Sequence, residues 1–512
     1  MTVRIPLGEE LDERLLLAAA RGETVQPVFG RDARARVKAA RATVEAIVAK
    51  GAPVYGVNTG FGALAKERID AADTGTLQRN LLLSHAVGTG PDLPADEKRV
   101  ALLLRIHSMC RGYSGVRPVV VEWFAKLLTS GWLPYVPEQG SVGACGDLAP
   151  LAHLALPVVG AGWMVSPEGK RVRATAALKR IGLKPLELEA KEGLALINGV
   201  QISNAIGLAA WARLRNLSVI ADVAGALSVE ALMASHRPFD TRVVQVRPHR
   251  GARDTSWNLR KLLKNSQVAK SHRQCDRVQD PYSFRCMPQV HGAAKDALAH
   301  LGDVLVREAG SATDNPLVFP EQGDSISAGN FHGQPIALPL DYAANAVCAW
   351  GNISERRVST LIHPAMSGLP AFLTPFPGLS SGLMIPQVVA AALVSENKLL
   401  AHPASSDTVT TSADQEDHVS MANHAARKLR QAATNLERVL AIELYTAAQG
   451  REFARELRAG SGAEAAYAFV RKNVPPLKHD RYMAQELDRV AECVGDGTLR
   501  AAVERSVGAL RA

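Results

Sequence analysis

The sequence predicts a mainly α-helical protein, and three observations lead to that prediction. Hydrophobic residues make up 47% of the 512 residues and aromatic residues only 5%, so the apolar content comes mainly from Ala, Leu and Val, a composition that suits packed helices. Amphipathic patterns of helical period recur from residue 9 to residue 130, between short breaks rich in turn residues. Towards the end of the chain, a long apolar stripe predicts one unusually long helix.

The predicted elements follow in order along the first 150 residues. Helical patterns cover residues 32–49 and 96–130, and a glycine-rich segment at residues 55–62 interrupts them. Residues 133–150 are rich in Pro and Gly, so we expect an irregular loop that leads into an apolar helix. Long loops of this kind often carry functional residues.

The middle of the chain alternates between helical patterns and two polar breaks. Residues 163–172 are β-permissive and predict a hairpin, after which helical patterning resumes over residues 203–235. Residues 271–292 then bring Gln, Asp, Pro, Tyr, Arg and Cys together. Polar density inside an otherwise apolar protein indicates part of a functional site.

The long helix is predicted over residues 414–449. Its apolar stripe consists of Ala425, Leu429, Ala432, Leu436, Val439 and Ile442. A helix of about ten turns spans a whole domain. Such a stripe favours packing against other long helices, including those of other subunits.

The charge balance excludes few functions but disfavours nucleic-acid binding. The 59 basic residues exceed the 50 acidic residues by 9, and the basic residues form only short runs at residues 34–38 and 427–430, both on helical patterns. We interpret these runs as solvated helix faces, because a nucleic-acid binder concentrates its charge in a patch. The positive balance suits a small anionic substrate such as an amino acid.

The chain carries no pattern that predicts secretion, membrane insertion or metal binding. Its first residues have no basic stretch followed by an uninterrupted apolar stretch, so we expect no signal peptide. Residues 148–165 reach membrane length but contain Pro150, His153 and Pro157, which favours a buried segment. The six cysteines form no CxxC pair and no cluster with zinc spacing. We therefore expect a cytoplasmic protein with reduced thiols and no metal.

The most unusual peptide runs from Gly140 to Pro150 and contains the triplet Ala144, Cys145 and Gly146. The amide nitrogen of Gly146 has no side chain crowding it, so it can close on the carbonyl carbon of Ala144 with loss of water. If Cys145 then loses its β-substituent, the product is a ring with an exocyclic methylene, which is a strong electrophile. The same residues are also compatible with a glycine-rich turn around a buried, inert thiol.

This peptide, GSVGACGDLAPLAHLAL, resembles the signature of the aromatic amino acid ammonia-lyases. That family builds a 4-methylideneimidazol-5-one (MIO) cofactor from an Ala-Ser-Gly triplet, and Cys145 stands where the family has Ser. Elimination of hydrogen sulfide instead of water would give the same methylene. The resemblance thus implies an MIO formed from Ala144, Cys145 and Gly146, with no diffusible cofactor.

Further motifs extend the resemblance over nearly the full chain and are most similar to the histidine-specific branch of the family. The segment 55–62 is similar to the family loop whose tyrosine removes the β-proton of the substrate, and the resemblance assigns that role to Tyr55. It also assigns Asn198 to the surroundings of the MIO and Tyr282 to the catalytic residues. At Val200, Met287 and Asp414 the chain departs from the family, which commonly has Thr, Gln and Asn.

The resemblance also implies which residues bind the substrate. An imidazole substrate needs polar partners for two ring nitrogens, and His85 and Glu416 are expected to supply them. Arg285 is expected to bind the substrate carboxylate, because its planar fork grips a carboxylate through paired hydrogen bonds. The full substrate-binding set is Ser84, His85, Gln279, Arg285, Phe331, Met384 and Glu416.

The fold that the resemblance implies is mainly α, with a long central helical bundle of the fumarase/aspartase-like type. Residues 1–200 would form a smaller N-terminal part that carries the tyrosine loop and the MIO loop. Residues 201–512 would form the long-helix bundle and the C-terminal helices. The resemblance further implies a homotetramer in which Tyr55 and the segment 282–285 of one site come from different subunits.

The implied reaction is the non-oxidative deamination of L-histidine to trans-urocanate and ammonia. Two alternatives stay open. The protein is a related aromatic amino acid ammonia-lyase or a 2,3-aminomutase that uses the same electrophile, or it is a non-catalytic family member in which Cys145 never cyclises.

Overall fold

Helices account for most of the structure, a computed structural model that describes residues 2–51, 53–60, 62–272 and 278–512. The predicted mainly α fold is confirmed. Phe61 and Cys275, which belong to two of the sequence features above, lie outside the described residues. The longest helices of the described residues are Gln201–Leu232, Ala422–Arg451 and Gln334–Ile362, with 32, 30 and 29 residues.

The α-helices of the described residues are α1 (Glu13–Ala20), α2 (Arg31–Lys50), α3 (Thr74–His85), α4 (Ala95–Cys110), α5 (Pro118–Thr129), α6 (Leu148–Ala155), α7 (Ala174–Ile181), α8 (Glu192–Ile197), α9 (Gln201–Leu232), α10 (Thr241–Gln245), α11 (Arg250–Leu262), α12 (Gln267–Ser271), α13 (Tyr282–Arg285), α14 (Met287–Ala309), α15 (Gln334–Ile362), α16 (Pro364–Ser367), α17 (Met384–Leu400), α18 (Ala422–Arg451), α19 (Ser461–Asn473), α20 (Ala484–Gly495) and α21 (Thr498–Val507). The strands are β1 (Thr2–Pro6), β2 (Thr24–Val28), β3 (Thr89–Asp92), β4 (Leu133–Pro134), β5 (Pro137–Gln139), β6 (Trp163–Val165), β7 (Arg171–Arg173), β8 (Leu317–Phe319) and β9 (Asp324–Ile326).

The chain divides into two compact units, each made of three segments. Unit 1 comprises the described residues of Met1–Ala212, Leu301–Asp341 and Pro403–Arg427. Unit 2 comprises those of Arg213–His300, Tyr342–His402 and Lys428–Ala512. The expected division at residue 200, with an N-terminal part and a long-helix bundle, stays a prediction. The completion of the site by other subunits also stays a prediction.

Unit 1 contains all strands of the described residues, in four small sheets. β1 pairs in parallel with β2, whereas β3 with β5, β4 with β6, β6 with β7 and β8 with β9 are antiparallel. The predicted hairpin is confirmed as β6 and β7, in which Trp163 faces Arg173. These sheets are too small to form a core of their own, so helices supply it.

Three short helices of unit 1 position the predicted site. α3, α6 and α8 pack against one another. α3 ends at His85, α6 begins at Leu148 directly after the triplet and Asp147, and α8 ends at Ile197 just before Asn198. Their mutual packing therefore brings together three motifs that lie far apart in the sequence.

The prediction for the long helix is right about its apolar face and wrong about its start. All six stripe residues are buried, with no more than 3% exposed. However, α18 begins at Ala422 rather than at residue 414. Residues 412–414 have φ angles of 52°, 52° and 65°, and Met421 has φ of 54°. L-residues in this left-handed region cannot continue a right-handed helix, so the segment before Ala422 forms a separate turn.

Within the part of the chain that the structure describes, no helix combines the length and the apolar character needed to cross a bilayer. Residues 148–165, the segment of membrane length, form α6 and a following short turn of 3₁₀ helix, and most of their side chains are buried. The predicted buried segment is thus confirmed. Over the same described residues, His, Cys, Asp and Glu form no group of three that could hold a metal ion.

Candidate active site

The triplet Ala144 to Gly146 lies in a tight turn that is fixed on both sides. Before the triplet, the carbonyl oxygen of Gly143 accepts a hydrogen bond from Ser420 Oγ at 3.0 Å. After it, the backbone N–H of Asp147 donates to the carbonyl oxygen of Gly199 at 2.7 Å. The turn is therefore held between the residues just before α9 and the segment Pro403–Arg427, both of which belong to unit 1.

Two glycines make this close packing possible. Gly146 has φ of 79°, and a Cβ at this position would lie 2.1 Å from the carbonyl oxygen of Gly199. Gly199 has φ of 131°, and a Cβ there would lie 2.4 Å from Thr313 Oγ1. Only glycine tolerates both the backbone angle and the contact. The triplet is thus pressed against a neighbouring backbone, which suits a reaction that forces an amide nitrogen onto a carbonyl carbon.

Gly199→Ala should destabilise the protein strongly. The added methyl group collides with Thr313 and demands a left-handed backbone, so we expect the free energy of unfolding to fall by about 3 kcal/mol or more. Chemical denaturation followed by circular dichroism measures this change. Gly182→Ala is the matched control, since Gly182 has φ of 69° but open space around its Cβ position, and it should cost only about 1 kcal/mol. Equal losses in the two variants would show that the contact with Thr313 is unimportant.

The carbonyl oxygen of Cys145 accepts two hydrogen bonds. Asn198 Nδ2 donates at 3.1 Å and the backbone N–H of Gly199 at 3.4 Å. The fully buried Arg105 donates to the backbone oxygen of Asn198 and so fixes its position. Preorganised donors of this kind stabilise negative charge that develops on the oxygen they face. The other amide atom, Asn198 Oδ1, is buried and has no hydrogen-bond partner in the described structure, so it can accept a hydrogen bond from a ligand.

A buried carboxylate follows the triplet directly. Asp147 is fully buried, and its side chain accepts hydrogen bonds from Ser203 N at 2.7 Å, Ser203 Oγ at 2.6 Å and Ser141 Oγ at 3.3 Å. Burial raises the pKa of Asp147 to about 6, although the hydrogen bonds from Ser203 and Ser141 oppose this rise. Because both oxygens are engaged, Asp147 ties the turn to the start of α9.

One cavity of unit 1 collects six of the predicted site residues. It has a volume of about 610 Å³, which suits a small ligand. The predicted residues that line it are Tyr55, Ser84, His85, Cys145, Asn198 and Glu416. Its apolar wall consists of Leu64, Ile69, Leu77, Leu81, Leu148, Leu194 and Ile197. Among the described residues that line the cavity, none is a lysine or an arginine.

Tyr55 brings a phenol into this cavity. Its hydroxyl oxygen accepts a hydrogen bond from the backbone N–H of Gly62 at 3.3 Å. Burial raises the pKa of Tyr55, the Gly62 hydrogen bond lowers it, and the nearby Cys145 and Glu416 raise it further. A phenol with an ordinary pKa near 10 serves as a base at neutral pH only if its neighbours lower that pKa. Within the single chain, the direction for Tyr55 is opposite to the one required of a base.

His85 has a defined hydrogen-bond pattern at the end of α3. Ser84 Oγ donates to the carbonyl oxygen of Leu81 at 3.2 Å and lies 3.0 Å from His85 Nδ1. With the hydroxyl proton assigned to Leu81, Nδ1 is assigned as the donor and Nε2 as the acceptor. Burial lowers the pKa of His85, so the ring is neutral and presents one acceptor nitrogen.

Glu416 reaches the cavity from the turn that precedes α18. Thr411 pairs with Glu416 in an isolated antiparallel bridge, and Thr411 Oγ1 donates to the Glu416 carboxylate at 2.6 Å. Cys145 Sγ donates to the same carboxylate at 2.8 Å. Burial raises the pKa of Glu416, but hydrogen bonds, first among them that of Cys145, lower it below its ordinary value. The carboxylate is therefore ionised at neutral pH.

Four predicted site residues belong to unit 2 and are not among the residues that line the cavity. Arg285 donates to Gln279 Oε1 at 2.9 Å, and its guanidinium lies 4.7 Å from the centre of the Tyr282 ring. Tyr282 is 71% exposed. Met384 begins α17 and is 37% exposed. Within one chain, the structure thus brings Gln279, Tyr282 and Arg285 together but does not bring them into the cavity of unit 1.

Phe331 and the unusual Met287 have different surroundings. Phe331 lies in unit 1, in the turn before α15, and is not one of the residues that line the cavity. Met287 is fully buried at the start of α14, where its sulfur packs so close to Gly225 that a Cβ there would lie 2.4 Å from it. The thioether therefore fills the space against Gly225 in unit 2, which accounts for an apolar residue at this position.

The match to known proteins covers the cavity and both units. A model of the family described as aromatic amino acid lyase matches residues 11–472. The chain belongs to the aromatic amino acid lyase family. The family resemblance predicted from the motifs is therefore confirmed.

Relatives of this aromatic amino acid lyase are similar over almost their full length. A histidine ammonia-lyase from Sorangium cellulosum is 52% identical over 488 residues, which cover 94% of this chain and 95% of that one. The crystal structure of histidine ammonia-lyase from Trypanosoma cruzi is 41% identical, with a TM-score of 0.90 and coverage of 98% and 96%. The structure of a tyrosine aminomutase from Streptomyces globisporus is 34% identical, with a TM-score of 0.93 and coverage of 99% and 100%.

Sequence reasoning missed two parts of the site of this lyase. Asp147 directly follows Gly146 in the sequence. This position beside the triplet is the signal that could have identified it as part of the site. Thr411 holds the Glu416 carboxylate, but the pattern assigned this region to the start of a helix. Its role depends on the left-handed turn at residues 412–414, which no hydrophobic period reveals.

Proposed function

We propose that the protein is a histidine ammonia-lyase, which converts L-histidine to trans-urocanate and ammonia. The observation that carries the proposal is the meeting of four groups in one cavity: Cys145 of the Ala-Cys-Gly triplet, the phenol of Tyr55, the imidazole of His85 and the carboxylate of Glu416. The relatives named histidine ammonia-lyase support the same substrate, at 52% and 41% identity.

The residues around the triplet fit an MIO formed from Ala144, Cys145 and Gly146. The Cys145 carbonyl oxygen, which the ring would retain, already accepts hydrogen bonds from Asn198 and Gly199. The buried Oδ1 of Asn198 is unpaired, and Gly146 is pressed against a neighbouring backbone. Once formed, the MIO supplies an electrophilic methylene that activates the substrate for loss of its amine.

The chain's own side chains account for the remaining steps. Tyr55 removes the β-proton of the substrate as a general base. His85 Nε2 and the Glu416 carboxylate are both acceptors, so they suit an imidazolium ring, which carries an N–H on each nitrogen. The apolar wall excludes water and strengthens these polar contacts. Asn198 steadies the negative charge that develops on the Cys145 oxygen.

The substrate carboxylate needs a cation that the cavity itself lacks among its described lining residues. Arg285 lies in unit 2 with Gln279 and the largely exposed Tyr282. We therefore propose that Gln279, Tyr282, Arg285 and Met384 complete the cavity of a different subunit, with Phe331 packing beside the MIO. The proposal includes a homotetramer with shared sites, as the family resemblance implies. A cytoplasmic location also belongs to this proposal.

The test of the proposed function is turnover of separate amino acids by the purified protein. We expect kcat/KM for L-histidine to exceed that for L-phenylalanine or L-tyrosine by roughly 10²-fold or more, because a bare ring leaves the buried His85 and Glu416 unpaired. Ammonia release and the absorbance of urocanate give the measurement. Conversion without ammonia release would instead identify an aminomutase, and the absence of turnover with all three substrates would contradict the proposal.

A further inference from the structure

A carboxylate is held against the sulfur atom that must leave during MIO formation. Cys145 Sγ donates a hydrogen bond to Glu416 Oε1 at 2.8 Å, although the two residues are 271 positions apart. Thr411 fixes the other carboxylate oxygen at 2.6 Å. The contact depends on the turn at residues 412–414, in which three successive L-residues have positive φ. Strain of this kind persists only where surrounding contacts determine the conformation.

The protonation states of the two groups suit an elimination. Burial raises the pKa of the Cys145 thiol, and Glu416 raises it further, so the sulfur keeps its proton. This matters because a thiol departs as hydrosulfide, whereas a thiolate would have to depart as the far less stable sulfide dianion. The net effect of the surroundings lowers the pKa of Glu416, so its carboxylate is ionised and can accept a proton.

We propose that Glu416 carries the proton in the elimination of hydrogen sulfide from Cys145. This inference rests on the proposed function, since it presupposes that the triplet cyclises. The ring first closes when the Gly146 nitrogen bonds to the Ala144 carbonyl carbon and water leaves. The Glu416 carboxylate then takes the proton from Cα of residue 145.

The remaining atoms and electrons balance without another reactant. The electron pair of the Cα–H bond forms the Cα=Cβ double bond, and the Cβ–Sγ bond breaks with its pair on sulfur. Hydrosulfide leaves and takes the proton back from the Glu416 carboxylic acid. Hydrogen sulfide is released, the methylene is complete, and the Glu416 carboxylate is regenerated for its contact with the substrate.

The other acidic groups of the site are less suited to this task. Both oxygens of Asp147 are engaged by Ser203 and Ser141, and these bonds hold the carboxylate at the start of α9 rather than at the sulfur of Cys145. Tyr55 is protonated, because burial raises its pKa. Glu416 is the ionised group that directly contacts the leaving sulfur.

The test compares maturation in the full-length wild type, Glu416→Gln and Asp417→Asn. Asp417 is an exposed acidic residue that directly follows Glu416, so its variant removes a neighbouring carboxyl group without touching Cys145. The mass of the peptide that spans Ala144 to Gly146 is measured at purification and during incubation. We expect the wild type and Asp417→Asn to lack one water and one hydrogen sulfide. We expect Glu416→Gln to complete elimination about 10²-fold more slowly and to accumulate peptide that lacks only water.

Glu416→Asp separates a chemical role from a structural one. It keeps a carboxylate in the turn, so it should mature faster than Glu416→Gln even if both unfold at the same denaturant concentration. A Glu416→Gln peptide that matures as fast as the wild-type peptide would overturn the inference and leave the proposed function intact. An unmodified wild-type peptide would overturn both. Equal slowing in Glu416→Gln and Glu416→Asp would reduce Glu416 to a structural role and also overturn the inference.

Discussion

Tyr55→Phe should abolish turnover while leaving the fold intact. The substitution removes only the phenolic hydroxyl, which accepts a hydrogen bond from the Gly62 backbone N–H at 3.3 Å. Loss of a positioned general base lowers kcat/KM by about 10²- to 10⁴-fold. Steady-state kinetics with L-histidine and the unfolding midpoint of both proteins provide the measurement. A variant with normal turnover would mean that another group removes the β-proton.

The pKa of Tyr55 also sets the expected pH dependence. Burial raises this pKa, and the Gly62 hydrogen bond offsets the rise only in part. The phenol is therefore protonated at neutral pH, and the reactive phenolate becomes more abundant as the pH increases. We expect kcat/KM of the wild type to rise above neutral pH, and the residual rate of Tyr55→Phe to lose this rise. Loss of the Cys145 thiol on maturation removes one group that raises the pKa, and an arginine from another subunit would lower it further.

Mixing two inactive variants tests whether subunits share the site. Tyr55→Phe damages the cavity of unit 1, and Arg285→Ala damages the cluster of unit 2. If each site takes Tyr55 and Arg285 from different chains, co-expression of the two variants should create some intact sites and restore part of the activity. Activity that stays at the level of the single variants would contradict a shared site.

Cys145→Ala should eliminate activity, and Cys145→Ser should preserve or raise it. Alanine has no β-substituent to lose, so no methylene forms and kcat falls by a factor on the order of 10⁴ or more. Serine can lose its hydroxyl as water and reach the same methylene. The two variants differ by one atom at a position that lies partly exposed to the cavity, so differences in packing should be small.

Peptide mass and turnover together decide the outcome for Cys145. Cys145→Ala should lack at most the one water that ring closure releases, because alanine has no β-substituent to lose, and Cys145→Ser should lack two waters. Substantial deamination by Cys145→Ala would show that the reaction does not need the electrophile. A fully matured Cys145→Ser without activity would show that the proposed chemistry is wrong beyond the triplet.

Local motifs predicted those parts of the protein that depend on short stretches of sequence. The stripe from Ala425 to Ile442 identified the face of α18, because helical period and burial are local properties. The triplet, Tyr55, His85 and Asn198 were found from their motifs, and the structure places Tyr55, His85, Cys145 and Asn198 in one cavity.

What the sequence could not predict depends on contacts between distant segments. The predicted start of α18 was wrong because residues 412–414 have left-handed backbone angles. Contacts of Glu416 with Thr411 and with Cys145, which lies 271 positions away, stabilise this turn. The direction of the Tyr55 pKa shift depends on which groups surround the phenol. Arg285 belongs to unit 2 and Tyr55 to unit 1, and the two units interleave along the chain, a division that no local pattern contains.

The interleaved segments of unit 1 also set an order of events in time. Glu416 follows Cys145 by 271 positions, so at 5–20 residues per second a ribosome needs roughly 15 to 50 s to reach it. During this interval the nascent chain carries the triplet without the carboxylate at its sulfur and without the Ser420 contact to Gly143. If Glu416 carries the proton as proposed, the elimination from Cys145 begins only after synthesis has passed the segment Pro403–Arg427.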